Sequence, residues 1–334
     1  MKIIVKKTIL LVFGLFNILK VNCGDIELGR VKWLRDLDQA RISSASSNKD
    51  ILILFQEIPG CSTCKNYGKN VLSHPLIVEA IEDLFIPVVV HNNKQGKDKE
   101  ILDFFGEPSW NNPVIRIVDN NLKDISKRLN GDYTSYGLIS KINAALLIRN
   151  KKIPDYCQLL EEELLAEASG IESTYIGMYC FWSGEKCYTQ APGVIATKAG
   201  FMKGSEVVEI KYNPKKTNLS AIVNHGKAMN CADRIFINDV QQSINIEKSA
   251  KGEFRADKES KYYLFNSKYK YIPMTELQAC KTNLAISNNQ NPAVFLSPRQ
   301  IHMYNKIVSK ENADLKNAIG IPMEEIWYHA FSKN

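Results

Sequence analysis

Asp50-Ile51-Leu52-Ile53-Leu54-Phe55, followed by Ile58-Pro59-Gly60-Cys61-Ser62-Thr63-Cys64, decides the architecture of the first part of this chain. The apolar, largely branched run reads as a strand buried on both faces. Pro59-Gly60 stops it, and two cysteines three positions apart open a helical stretch from Cys64 through Leu84, kinked near Pro75. On the N-terminal side, Val31, Leu34, Leu37 and Ala40 recur at helical spacing and predict a helix over 26–45. On the C-terminal side, Phe85 to His91 reads as a second buried strand and Lys97 to Phe105 as a short helix. Asn112-Pro113-Val114-Ile115-Arg116-Ile117-Val118 gives a third strand, and Tyr133 to Ile148 a last helix.

A strand, then Cys-x-x-Cys, then a helix, inside an alternating α/β pattern, resembles thioredoxin over residues 27–150. The resemblance implies a thioredoxin fold, with Pro113 as a cis-proline facing the two thiols. Cys61 is then the exposed thiol at a helix N-terminus, with a lowered pKa, and attacks a disulfide. Cys64, one turn on, closes the internal disulfide. The competing readings are a zinc half-site and a structural disulfide. Zinc needs a second ligand pair, and His74 and His91 stand alone in this region. The usual Trp-Cys-Gly-Pro-Cys surroundings are replaced by Pro59-Gly60-Cys61-Ser62-Thr63-Cys64, so reductase and oxidase directions both stay open.

A second stretch is Gly177-Met178-Tyr179-Cys180-Phe181-Trp182-Ser183-Gly184-Glu185. Ile176 to Phe181 reads as a strand and Trp182 to Gln190 as a helix. That puts Cys180 at the turn, where a helix N-terminus favours a thiolate. Glu185 falls in the first turns of that helix, and Phe181 and Trp182 offer apolar walls. Gly193 to Phe201 and Glu206 to Tyr212 read as a hairpin. Asn218 to Ala228 is a second helix with Thr217 as its cap, and Arg234 to Ile237 a last strand. The order is that of a ferredoxin-like α/β sandwich.

This stretch resembles the active-site motif of the A-class peptide methionine sulfoxide reductases, Gly-Cys-Phe-Trp-Gly-x-Glu. Ala191 to Thr197, Ala199-Gly200-Phe201, Glu206-Val207-Val208, Tyr212-Asn213-Pro214 and Asn224-His225 are similar to later family segments. The resemblance implies that Cys180 attacks the sulfur of methionine-S-sulfoxide while Glu185, its pKa raised by an apolar pocket, protonates the oxygen. Cys180 becomes a sulfenic acid, and a second thiol closes a disulfide that the thioredoxin-like part reduces. Tethering on one chain raises the effective concentration to the ~millimolar range. Cys231 is the favoured resolving thiol. Cys187, in the same helix, lies about 10 Å from Cys180, beyond a disulfide's reach. Four departures stand out: Tyr179 replaces a glycine, Phe201 replaces a substrate-binding tyrosine, the loop between Phe201 and Glu206 is short, and of the family's later segment with an aspartate and Gln-Tyr-Arg only Asp233-Arg234 is an echo. Phe181, Trp182, Phe201 and Pro113 are the expected substrate-binding residues. The resemblance implies no metal and no organic cofactor.

Composition is that of an ordinary globular chain of about two domains. Lys2, Lys6 and Lys7, then an apolar run from Thr8 to Leu19, then Cys23, have the layout of a signal peptide over 1–23. A retained membrane anchor and a lipidated Cys23 are the alternatives. Removing residues 1–23 takes four lysines and no acids, so the formal charge falls from +7 to +3. No basic face interleaved with aromatics remains, which argues against nucleic acid. Eight cysteines in an exported chain are paired or kept reduced for work. Arg149 to Pro154 reads as a basic linker, and Glu161 to Glu163 as a solvated face of the helix after it. The expected domains are thus 27–150 and 155–245, with a helical extension over 246–334 that is rich in tyrosine. A secreted or periplasmic oxidoreductase results, acting on oxidised methionine and drawing electrons from an upstream thiol reductant. The alternatives are a thiol–disulfide oxidoreductase or isomerase whose second domain docks substrate, and a binding protein with an inert Cys180.

Overall fold

A computed structural model describes residues 25–236, 249–250, 254–309 and 316–332. The expected signal peptide and Cys23 lie outside the described residues, as do 237–248 at the end of the expected second domain. No helix among the described residues is long and apolar enough to cross a membrane.

The first part of the chain runs α1 (Leu37–Ser47), β1 (Asp50–Gln56), α2 (Ser62–Asn70), α3 (Pro75–Leu84), β2 (Phe85–His91), α4 (Lys97–Phe105), β3 (Val114–Val118), β4 (Leu129–Asn130) and α5 (Ser135–Ile148). The sheet order is β2-β1-β3-β4, with β2 parallel to β1 and the other pairs antiparallel. Every residue of β1 is buried. Ile51, Ile53 and Phe55 pack toward α1 and α4, while Leu52 and Leu54 pack toward α2, α3 and α5. Coverage on both faces is why this strand reads as a continuous apolar run.

The helix expected over 26–45 is corrected. Gly29, at φ 62°, ends a short turn, and Leu34 joins the sheet by giving its N–H to Pro87 O (2.9 Å) and accepting from Val89 N (2.9 Å). The helix begins only after Asp36, whose carboxylate caps Asp38 N and Gln39 N. The helical spacing therefore came from two different elements burying apolar residues on one sheet. The expected kink near Pro75 is a break between α2 and α3, with Pro75 at the first helical position.

Helix α6 (Asp155–Ser169) follows the linker, which is clamped: Arg149 and Lys151 pair with buried Asp50 at 3.3 and 3.2 Å. Tyr156, Cys157, Leu160 and Leu164 complete the core of the first part, and Leu159 and Ala166 pack on Ile195 and Leu277 of the second. The glutamate run is not a solvated face. Glu163 is buried, and Glu161 accepts from Asn143 Nδ2 at 2.7 Å.

The second part runs β5 (Glu172–Gly177), α7 (Phe181–Thr189), β6 (Val194–Met202), β7 (Ser205–Tyr212), α8 (Leu219–Ala228) and β8 (Arg234–Phe236). The central order β6-β7-β5-β8 is antiparallel throughout, the ferredoxin-like arrangement. Its first strand ends at Gly177, earlier than expected, and Asn218 caps α8 in place of Thr217, accepting from Ala221 N at 2.9 Å. Short strands β9 (Ser249–Ala250) and β10 (Arg255–Ala256) add to the two edges. The extension supplies α9 (Tyr262–Phe265), α10 (Glu276–Ser287), α11 (Pro298–Ser309) and α12 (Met323–Ser332). Thr275 and Gln278 form a capping box on α10.

The extension ties the two parts together. Ser297 Oγ and Arg299 N donate to Glu79 of α3 (2.8 and 2.6 Å), and Tyr328 Oη donates to Ser73 O (2.8 Å). Met323 and Trp327 sit in the first core. On α6, Glu163 Oε1 accepts from Glu276 N at 3.2 Å, while its Oε2 has no partner among the described residues. Burial pushes this carboxyl from 4.5 up to about 8. A raised carboxyl stabilises the fold fully below pH 4.5, and that contribution is lost as pH rises through about 8. Glu163→Gln should flatten the fall in unfolding free energy across that window, removing a slope of up to ~1.4 kcal/mol per pH unit. Urea unfolding of both proteins over the window checks this, and parallel pH profiles would refute it.

Candidate active site

The Cys61–Cys64 pair is positioned by the end of β1. Gln56, fully buried, gives Nε2 to Glu27 O (2.8 Å) and Cys64 O (3.3 Å). Glu27 Oε1 accepts from Gly60 N at 2.8 Å. A Cβ on Gly60 would fall 2.5 Å from Glu57 O and 2.6 Å from Cys64 Cβ, so only glycine fits here. Cys61 is the N-cap of α2 and exposed, whereas Cys64 is buried. Their sulfurs lie 3.4 Å apart, and Cys64 Sγ donates to Asn112 Oδ1 at 2.7 Å. The Asn112–Pro113 peptide is cis, and Trp110 stands 80% exposed in the loop before it.

These surroundings divide the labour between the thiols. The Cys64 backbone N–H, then the Cys64 thiol and Thr63, hold Cys61 below its ordinary 9.0. Burial, then the hydrogen bond with Cys61, pushes Cys64 up to about 12. Glu57 joins them: its carboxylate oxygen and the two sulfurs lie within 4.8 Å of one another. Three such donors are a metal-capable group, but a closed zinc site takes four. Glu57 escaped the sequence reading because a lone glutamate before a Pro-Gly turn carries no signal.

Cys180 is the N-cap of α7, partly exposed, after the turn Met178-Tyr179. The carboxylate beside it is not Glu185 but Glu206. Glu206 Oε2 accepts from Phe181 N at 2.9 Å, and Glu206 O accepts from Met178 N at 3.1 Å. The short loop brings it there. Lys203 and Gly204, at φ 47° and 77°, form a tight turn that sets Phe201 opposite Glu206. Phe181 is buried against Phe201 (5.2 Å between centroids) and Trp182 (5.4 Å). The extension adds the outer wall: Tyr262 stacks on Trp182 at 4.1 Å, and Arg255 lies 5.1 Å over the Phe201 ring.

Glu185, the expected proton donor, is engaged by the sheet and the extension. It is wholly buried, with Oε1 accepting from Ala199 N (3.1 Å) and Ser260 Oγ (2.8 Å) and Oε2 from Lys261 N (2.6 Å). Burial does push its pKa up, opposed by Lys261 and these donors, but the group is committed to holding the extension. Cys231, the expected resolving thiol, has the Cys187 thiol and Met229 O (3.4 Å) as its neighbours.

Residues 32–120 match a family model described as thioredoxin-like. This stretch is a thioredoxin-like domain. Peptide methionine sulfoxide reductase MsrA of Corynebacterium diphtheriae is 32% identical over 81 residues, covering 19% of this chain and 36% of that protein. The MsrA of Methanococcus maripaludis is 36% identical over 70 residues, covering 16% and 45%. The chain thus spans less than half the length of these relatives. A solved DsbH oxidoreductase overlaps 38% of this chain and 91% of its own at 17% identity and a TM-score of 0.31, too slight a likeness to bear on function. Together, the family match, the relatives and the thiol geometry support thiol-based redox chemistry.

Alkylation of Cys61 by iodoacetamide should follow an ionisation below 9.0, with Cys64 unreacted until pH nears about 12. Cys64→Ala removes one donor and should move the Cys61 midpoint upward. Rate–pH profiles with site assignment by mass spectrometry measure both, and a Cys61 midpoint at the ordinary value would rule this assignment out.

Proposed function

We propose that the chain reduces methionine-S-sulfoxide, free or in proteins, through Cys180, with Glu206 as the proton donor. The Cys180 thiolate attacks the sulfoxide sulfur while Glu206 protonates its oxygen. Methionine departs as the thioether, and Cys180 is left as a sulfenic acid. Condensation with a second thiol releases water and forms a disulfide. The Cys61–Cys64 dithiol reduces that disulfide by exchange: Cys61 attacks, Cys64 resolves, and Glu57, within 4.8 Å of both sulfurs, takes the Cys64 proton through a bridging water. An upstream thiol reductant then restores Cys61 and Cys64. The site of action is a secreted or periplasmic compartment, where exported methionines meet oxidants.

One observation carries this reading: a helix-capping cysteine whose next backbone N–H is held by a carboxylate, beside an apolar aromatic wall. That wall suits the methyl thioether of methionine. Among the described residues the Tyr262 side chain makes ring contacts, and the buried Trp182 Nε1 has no partner. They are the donors proposed to bind the sulfoxide oxygen where Phe201 offers none. Because the linker is clamped to Asp50, electron return depends on fixed geometry rather than on a free tether.

Reduced protein mixed anaerobically with a methionine-S-sulfoxide peptide should release methionine stoichiometrically. Cys180→Ser should release none, and Glu206→Gln should slow release about 10²–10⁴-fold, the usual worth of a general acid. Glu185→Gln, conservative and at a carboxylate engaged by Ala199, Ser260 and Lys261, should act mainly through stability. Methionine release that survives Glu206→Gln but not Glu185→Gln would overturn the assignment of the acid. No release from the unsubstituted protein would favour the second reading, disulfide exchange on exported proteins at Cys61–Cys64, for which the thiol pair is complete within its own domain.

A further inference from the structure

Cys187 and Cys231 face each other away from the groups used above. Cys187 lies in the last turns of α7, 3% exposed, and Cys231 in the loop between α8 and β8, partly exposed. Local structure drives that loop back onto α7. Asn230 takes the left-handed backbone (φ 55°) that asparagine tolerates. Cys231 N then donates to Gly226 O at 2.7 Å, and Tyr188 Oη donates to Cys231 O at 2.9 Å. On the other side, His225 Nε2 meets Cys187 O at 3.0 Å. The approach of α8 to α7 leaves no room for a side chain at Gly226, whose Cβ would fall 1.9 Å from Tyr188 Oη. The two thiols are near enough to act on each other's ionisation.

Their environments repeat the pattern of the first pair. Burial, then the neighbouring Cys231 thiol, pushes the Cys187 thiol up to about 12, the same level as Cys64. One thiol of each pair is accessible, and the other is buried and protonated. A strained or purely structural pair would not need an accessible member.

We propose that Cys187 and Cys231 are a second redox-active dithiol, which is oxidised by disulfides that reach Cys231 and closes to an internal Cys187–Cys231 bond. The step balances with a low-molecular-weight disulfide of the glutathione type as oxidant. Cys231 thiolate attacks one glutathione sulfur, forming a mixed disulfide and expelling a glutathione thiolate. The Cys187 thiol then passes its proton to a departing thiolate and attacks the Cys231 sulfur, expelling the second glutathione. Two thiols of the protein are oxidised, and one glutathione disulfide is reduced to two thiols. The proposal is independent of the methionine sulfoxide reading, since neither Cys180 nor Glu206 takes part.

The test uses the full chain carrying Cys61→Ser, Cys64→Ser and Cys180→Ser, reduced and then exposed anaerobically to oxidised glutathione. Acid quenching, alkylation and peptide mapping should find Cys187 linked to Cys231. Adding Cys187→Ser should lose the link and leave a persistent glutathione adduct on Cys231, and adding Cys231→Ser should leave neither product. Near-ultraviolet circular dichroism establishes that each variant is folded. If the substituted chains do not fold, the unsubstituted protein must yield the Cys187–Cys231 peptide under the same treatment. A lasting Cys231 adduct in the presence of Cys187, or no modification of either thiol, overturns the proposal.

Discussion

The second half of the structure hangs on one buried carboxylate. Glu185 accepts hydrogen bonds from Ala199 N on β6 and from Ser260 and Lys261 at the start of the extension. Burial opposes the charge of Lys261, but Glu276, Cys280 and Glu185 around it outweigh that cost, and its ammonium passes on to Thr197 O (2.9 Å) and Glu276 (3.3 Å). A buried charge costs several kcal/mol unless its hydrogen-bonding capacity is filled. The chain fills it by drawing three elements together, so the extension cannot lift away without exposing or orphaning the group. Its reward is positional: the residue after Lys261 is Tyr262, which is thereby laid on Trp182 beside Cys180.

A second constraint makes the two parts one assembly. Helix α6 has an apolar face for each, and α11 and α12 return to α3 through Glu79, Ser73 and the first core. The basic linker, which reads as a hinge, neutralises Asp50 at the start of β1. Domains joined this way meet at surfaces whose relation is set by packing. Within that frame, cysteine chemistry is sorted by exposure. Cys61 and Cys231 meet solvent, Cys64 and Cys187 do not, and burial is the leading cause that raises the Cys64 and Cys187 thiols.

Much of the local architecture was legible from residue order. The β1 run, the cysteines at the head of α2 and the strand–helix–hairpin–helix–strand order of the second part follow from burial periodicity, turn residues and capping, while the cis-proline position was implied by the thioredoxin resemblance. The misreadings share one cause. Leu34 and the helical spacing around it, the acidic run of α6 and the Arg149–Lys151 linker each have a partner distant in sequence: Val88, α10 and Asp50. Local pattern cannot register a partner that arrives from elsewhere.

The same holds around Cys180. The sequence by itself determined that Cys180 begins a helix after a strand and that aromatics flank it. Which carboxylate is near was decided by tertiary structure. Glu185 shares the cysteine's helix, but its face of that helix turns into the core, where backbone and hydroxyl donors saturate it. Glu206 is remote in the chain, yet a two-residue turn and the pairing of β6, β7 and β5 set it against the Phe181 N–H. Helical spacing fixes only which residues share a helix. The hydrogen bonds that bury one carboxylate and present the other exist only when the sheet is complete.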